Sequence, residues 1–218
     1  MIRAMTADEE KRAAARFAAG LAEPGMRVGL GTGTTVMHLL PALAEHDLGL
    51  RCVATSPATE EAARALGLSV ESFDELEELD LAIDGADQVA PDGWLTKGGG
   101  RAHTREKLVE ASAKRFVVIA SSDKVVGRLT APVALELFSF GLAATLHRLG
   151  EVRIRPGDPS PDGGVIADWW GEVGDPAALA RRLESEPGVA GHGLFPPSLV
   201  SDVVVAGPDG VEHRRLRA

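Results

Sequence analysis

The chain has 218 residues, 44% of them hydrophobic and 25% charged, an ordinary composition for a water-soluble folded protein. A net charge of -9 argues against binding nucleic acid or an anionic membrane through a general field, so any phosphate must be held by a local site. The single cysteine, Cys52, precludes an internal disulfide, and with no apolar leader and no apolar run of membrane-spanning length a cytoplasmic protein is expected.

Thr6-Ala7-Asp8-Glu9 fits a capping box and opens an alanine-rich helix that runs to about Leu21 and stops at Pro24-Gly25. Met26 to Leu30 reads as a strand, followed by Gly31-Thr32-Gly33-Thr34-Thr35 and a helix from Val36 to about Glu45. Arg51 to Thr55 is a second strand, in whose apolar run Cys52 reads as a core residue. Ser56-Pro57 starts a helix that ends at Gly67, and a short strand is expected between Ser69 and Phe73. Leu79 to Ile83 is a strand ending on Asp84; a helix from Arg101 to Ala113 and a strand from Phe116 to Ala120 follow. Strands alternating with helices predict a parallel sheet covered on both faces.

The pattern then changes. Strands at Pro132–Leu137, Glu151–Arg155, Val165–Trp169 and Val189–Leu194 enclose helices at Ser139–Leu149 and Pro176–Glu186. That β-α-β-β-α-β order is the ferredoxin-like unit, so a smaller α+β domain is expected at 128–202. A hairpin built on Val203–Ala206 and the Gly207-Pro208-Asp209-Gly210 turn is expected to return to the first domain, which then comprises 1–127 plus 203–218.

Four strand ends carry chemistry. Gly31 to Thr35 lies between a strand and a helix, where backbone N–H groups and hydroxyls can hold a phosphate or simply form a turn. It lacks the lysine of a P-loop, and Thr55-Ser56 stand where a dinucleotide site would place its ribose-binding acid, so a small phosphorylated metabolite fits better than NAD. Asp84-Gly85-Ala86-Asp87 ends a buried-looking strand; turn chemistry alone explains Asp87 better than Asp84. Lys97-Gly98-Gly99-Gly100 joins an ammonium to a backbone able to approach a ligand closely. Glu106 falls in the first turns of the next helix, where an exposed glutamate is the ordinary reading. Asp123 and Lys124 follow a fourth strand end. His103 reads as a site residue or as simply exposed, Trp94 as a cover for the site or a turn filler, and Trp169-Trp170 as packing the smaller domain against a neighbour such as another subunit. No His/Cys spacing suggests a metal.

Taken together, Gly31–Thr35, Asp84–Asp87, Lys97–Gly100 with Thr104-Arg105-Glu106-Lys107, and Ser122-Asp123-Lys124 resemble, in order, the motifs of ribose-5-phosphate isomerase, type A. Pro132-Val133, Pro187-Gly188-Val189 and Gly193-Leu194-Phe195 extend the likeness over nearly the whole chain. The resemblance implies a Rossmann-like three-layer α/β/α domain with a ferredoxin-like lid, in a homodimer or homotetramer. It implies interconversion of ribose 5-phosphate and ribulose 5-phosphate in the non-oxidative pentose phosphate pathway, through an enediolate and without cofactor or metal. Glu106 would be the base, with Asp84, Asp87 and Lys97 also catalytic. Thr32, Gly33, Thr34, Thr35, Asp84, Gly85, Ala86, Asp87, Lys97, Gly98, Gly99, Gly100 and Lys124 would bind substrate. Gln88, Arg101 and His103 depart from the family pattern and bear on substrate range or on the rim alone. A non-catalytic sugar-phosphate sensor lacks support in the absence of a basic DNA-binding segment, and an amino-sugar-phosphate deaminase or coenzyme A transferase does not fit the KGGG–TREK spacing.

Overall fold

Thr6 and Glu9 close a reciprocal cap at the start of α1 (Ala7–Ala19): the Glu9 amide donates to Thr6 Oγ1, and the Thr6 amide donates to the Glu9 carboxylate at 2.7 Å. The computed structural model describes residues 5–74 and 76–217; residues 1–4 and 218, at the ends of the first expected domain, lie outside it. The small side chains of Ala14, Ala15, Ala18 and Ala19 are all buried and let α1 lie close on the sheet.

The chain continues through β1 (Arg27–Leu30), α2 (Thr34–Glu45), β2 (Arg51–Ala54), α3 (Pro57–Ala65) and β3 (Ser69–Val70). Ser56 caps α3 by accepting from the Thr59 amide, with Pro57 at the first helical position. Then come β4 (Leu81–Gly85), β5 (Gln88–Val89), β6 (Leu95–Thr96), α4 (His103–Ala111) and β7 (Phe116–Ser121). The last stretch holds β8 (Val133–Leu137), α5 (Leu142–Leu149), β9 (Val152–Ile154), β10 (Val165–Trp169), α6 (Pro176–Glu184), β11 (Val189–His192), β12 (Leu194–Phe195), β13 (Asp202–Gly207) and β14 (Gly210–Arg215).

Seven strands form the main sheet in the order β14-β13-β7-β4-β1-β2-β3, parallel except for the antiparallel edge strand β14. From β1 the chain steps to β2 on one side and later enters β4 on the other. The gap beyond the carboxyl ends of β1 and β4 is therefore a topological switch point. Strand alternation splits the core in two. Val28, Leu30, Ile83, Val117 and Ile119 meet the alanines of α1 and Leu39, Leu40 and Leu43 of α2. Ala82, Phe116, Val118 and Ala120 meet Val109 of α4 and Val89, Leu95 and Phe195. Each fully buried Leu, Ile or Phe here contributes roughly 1.5–3 kcal/mol of transfer free energy.

Four strands form a second, antiparallel sheet in the order β11-β8-β10-β9, the ferredoxin-like arrangement, with its own core of Val133, Leu135, Leu137, Trp169 and Leu183. The terminal hairpin β13–β14 pairs with β7 in the main sheet.

Several local expectations need correction. A three-stranded sheet, β12-β6-β5, covers part of the main sheet's second face; its two-residue strands are too short to carry a periodic signal. The single strand expected at Val189–Leu194 is two, because Gly193 turns aside to donate to the Ala134 carbonyl and accept from the Lys97 amide, each at 2.8 Å. The helix expected from Arg101 starts at His103, since Arg101 sits at φ 65°, in the left-handed region. Trp94 packs against the core of the small antiparallel sheet. Trp169 lies in that core too, while Trp170 is half-exposed and stacks under Arg153 at 5.2 Å.

Candidate active site

Three chain segments meet at the switch point. The first is the turn after β1. Among the described residues no side chain caps the first turn of α2, whose flanking residue Gly33 has φ 129°, and the N–H groups at this helix start border the cavity beside it. Thr32 bonds Thr55 through their hydroxyls at 2.7 Å. Lys11, from α1, donates to Thr34 Oγ1 at 3.0 Å.

The second segment is the end of β4. Asp84 is 1% exposed, and its Oδ1 accepts from the amides of Thr32 at 3.1 Å and Gly85 at 2.6 Å. Gly31 has no side chain because the Asp84 carboxyl group occupies that space. Asp87 is exposed at the cavity mouth and accepts from the Gly99 amide at 2.9 Å.

The third is the β6–α4 connection. The Lys97 ammonium lies 2.7 Å from Asp84 Oδ2, 3.2 Å from Glu110 Oε1 and 3.4 Å from Glu106 Oε2, and donates to the Gly85 carbonyl at 2.5 Å. The rings of Phe195 and Phe116 stand 5.4 and 6.0 Å from it. All four charged side chains are at most 3% exposed. Gathering three carboxyl groups and one ammonium out of water is costly, which marks a functional cluster more than a structural one.

The protonation pattern follows from burial. Desolvation pushes the Glu106 carboxyl up to about 8, with Lys97 pulling it down and Asp84 pushing further up. Desolvation likewise holds the Glu110 carboxyl well above the ordinary carboxylate range, with Lys97 opposing. Burial opposes the charge on Lys97, but Asp84, Glu106 and Glu110 outweigh it and hold the ammonium well above its ordinary range. The site thus presents a carboxyl group that titrates near neutrality beside a permanent cation, a pairing suited to moving a proton while stabilising a developing anion.

Lys97 and Glu106 open onto a cavity of about 320 Å³ that reaches from the glycine run to the start of α2. Thr32 to Thr35, Gly85 to Asp87, Gly98 to Gly100 and Lys124 line it too, so the structure gathers every residue that the resemblance assigned to catalysis or substrate binding except Asp84, which stands behind Lys97; Asp123 does not line the cavity. A wider cleft of about 790 Å³ beside α4 has a rim held by surface pairs such as Arg105–Asp162 and, among the described residues, contains no comparable buried cluster. No group of His, Cys, Asp or Glu among the described residues is placed to hold a metal ion.

Two readings of single residues change. Glu106 is 2% exposed, not solvated, because α4 turns that face onto the sheet. His103 is fully buried behind Gly98, and burial, reinforced by Lys107, pushes its imidazole down to about 3. Gln88 points away from the cavity: its amide donates to the Thr130 carbonyl at 3.0 Å and accepts from the Thr130 amide at 2.8 Å, a pairing a glutamate could not complete. Arg101 reaches the carbonyls of Pro156 and Asp158 at 2.5 and 2.7 Å, and Arg155 holds the Gly98 carbonyl at 2.7 Å.

Lys11, Glu10 and Glu110 were not evident as site residues. Glu10 is buried and accepts from the amide and hydroxyl of Ser122 at 2.9 and 2.8 Å, fixing the turn that carries Lys124. Only the tertiary fold brings α1 to this edge. Glu110 did leave a trace, four residues after Glu106 and so on the same helical face.

The fold and site define an α/β protein that can hold a small anionic molecule against a buried base. A model of the family described as Ribose 5-phosphate isomerase A (phosphoriboisomerase A) matches residues 51–210. Ribose-5-phosphate isomerase A of Caulobacter sp. (strain K31) is 43% identical over 206 residues, covering 88% of this chain and 91% of the relative. The crystal structure of ribose 5 phosphate isomerase A from Neisseria gonorrhoeae superposes with a TM-score of 0.94 at 28% identity, covering 99% of this chain and 100% of that one. A solved D-ribose-5-phosphate isomerase in complex with phospho-erythronic acid gives 0.91 at 30% identity, covering 97% and 100%. The chain belongs to the ribose-5-phosphate isomerase A family.

Proposed function

We propose that this protein interconverts D-ribose 5-phosphate and D-ribulose 5-phosphate by proton transfer through an enediolate, with Glu106 as the base. The observation that carries the reading is the buried Lys97 ammonium, 3.4 Å from a carboxyl group that opens onto a cavity ending at an uncapped helix start. The substrate phosphate sits at Gly33 to Thr35 between Lys11 and Lys124, where N–H groups, hydroxyls and two cations converge. The open-chain sugar then extends toward Lys97 and Glu106.

Ionised Glu106 takes the proton from C2; the C–H electron pair forms the C1–C2 double bond, and negative charge develops on the carbonyl oxygen. Lys97 and the N–H groups of the glycine run stabilise that charge. The O2–H proton passes to O1, and Glu106 returns its own proton to C1 as the C2–O bond becomes the ketone carbonyl, so no electron acceptor is needed. Asp87, the aspartate that lines the cavity, is the one able to reach the ring oxygen and assist ring opening, while Asp84 anchors Lys97. The relative solved with phospho-erythronic acid supports this reading, because the carboxylate of that ligand matches an enediolate in charge and planarity.

We further propose two structural units, 1–127 with 203–218 and 128–202, and a cytoplasmic homodimer or homotetramer. Light scattering of the purified protein reads the assembly. For the activity, the protein is incubated with ribose 5-phosphate and ribulose 5-phosphate formation is followed, with and without a chelator. Turnover insensitive to chelation is expected, and Glu106→Gln removes nearly all of it while sugar phosphate still binds. A fully active variant overturns the assignment of the base.

A further inference from the structure

We propose that Glu110 is a positioning residue for this reaction: a buried neutral carboxyl group that holds the Lys97 ammonium against Asp84 and leaves Glu106 as the one carboxyl of the cluster that exchanges a proton with substrate. The inference rests on the isomerase reading above.

The geometry separates three chemically similar groups. Glu106 and Glu110 lie four residues apart on α4 and face Lys97 together, at 3.4 and 3.2 Å. Only Glu106 lines the cavity; Glu110 is sealed behind it at 2% exposure. Asp84 accepts from two backbone amides, bonds that stabilise its anion. Among the described residues, no backbone N–H or hydroxyl bonds either oxygen of Glu110.

The charged groups around Glu110 are Lys97 from the β6–α4 connection, Asp84 from β4, and Glu106 and Lys107 on its own helix. Three anions around one ammonium would leave an excess of two negative charges in a volume walled by Phe116 and Phe195. A proton on Glu110 removes one of them. It also turns the close approach of Glu110 and Asp84 from a repulsion into a hydrogen bond donated to Asp84, and leaves an oxygen free to face Lys97. The ammonium is then held by two groups from behind, with Glu106 in front.

The test combines spectroscopy and kinetics on the full chain. Infrared difference spectra of wild type and Glu110→Gln are recorded one pH unit above the Glu106 value of about 8. A protonated-carboxyl band in the wild type that Glu110→Gln lacks is expected; its absence from the wild type overturns the proposal. This reading needs no turnover, so an inactive wild type would overturn the isomerase assignment without touching it. Kinetically, Glu110→Leu, similar in volume but unable to hydrogen-bond, is expected to lose about tenfold or more in kcat with KM nearly unchanged, and Glu110→Gln to recover most of that loss. Wild-type kcat in the leucine variant overturns the positioning role. An acid limb of kcat/KM displaced by a unit or more to lower pH in Glu110→Gln shows that an anion was removed, and overturns the neutral assignment. Should Glu110→Leu fail to fold, the infrared band and the Glu110→Gln pH profile decide.

Discussion

A Cβ on Gly31 would lie 1.7 Å from the carboxyl carbon of Asp84, so the two residues occupy one space and only a glycine admits the aspartate. The Gly31 backbone does not itself demand glycine; room for the neighbour does. Gly31→Ala is therefore expected to displace Asp84, and with it Lys97. Steady-state kinetics should show kcat/KM lower by about a hundredfold or more, since misplacement on the order of 1 Å costs that much. An alanine variant with wild-type kinetics would mean that Asp84 does not need this position.

Lys97→Ala is expected to lower kcat by about 10²- to 10³-fold with a smaller change in KM, as for loss of a donor used mainly in the transition state. It also strands buried carboxyl groups without their cation, so urea unfolding should show a loss of about 3 kcal/mol. A raised KM at unchanged kcat would instead make Lys97 a ground-state ligand.

The titration of Glu106 gives opposite signs for activity and stability. As a base it must lose its proton, so kcat/KM rises with pH through a midpoint near 8. Its carboxyl group is raised from 4.5 in the unfolded chain to about 8 in the fold. Folded and unfolded states both hold the proton below 4.5; above that the folded state binds it more tightly, and the associated stability is lost as pH rises through about 8. Glu106→Gln, inactive, should therefore gain roughly 1–3 kcal/mol on wild type between about pH 6 and about pH 9. Parallel pH–stability curves for the two proteins would contradict the buried titrating base.

Lys11→Ala and Lys124→Ala are each expected to raise KM for ribose 5-phosphate about tenfold with kcat nearly unchanged, as for a charge-assisted contact to a non-reacting phosphate. Added salt should weaken wild-type binding more than that of either variant. Isothermal titration at two ionic strengths makes the comparison.

The sequence carried most of the architecture because its signals are local. The capping box at Thr6–Glu9, the Ser56-Pro57 helix start and the alternating strands each read correctly within a few residues. The β5, β6 and β12 strands did not, being two residues long and stabilised by partners far along the chain. At the site, Thr32, Asp84 and Lys124 were visible because each follows a legible strand end, and Lys97 because a run of three glycines follows it. Lys11 and Glu10 were not, since nothing in an alanine-rich helix announces which edge of the sheet it will reach. Glu106 looked like a surface glutamate because burial of a helical face is decided by what packs against it, here the main sheet through Val109.

Arg101 and Arg155 tie the glycine run to the antiparallel sheet through backbone carbonyls, one reaching out from the run and the other reaching back. A carbonyl is offered by every residue type, so these ties survive sequence drift in the loop they grip but not a change in its length. Chimeras that exchange the antiparallel sheet between relatives should accordingly tolerate variation at positions 156 and 158, provided that Gly157, at φ 111° with the Arg101 guanidinium against it, and the spacing from Arg155 to Asp158 are kept. Loop length, more than loop chemistry, is then the inherited quantity at this junction.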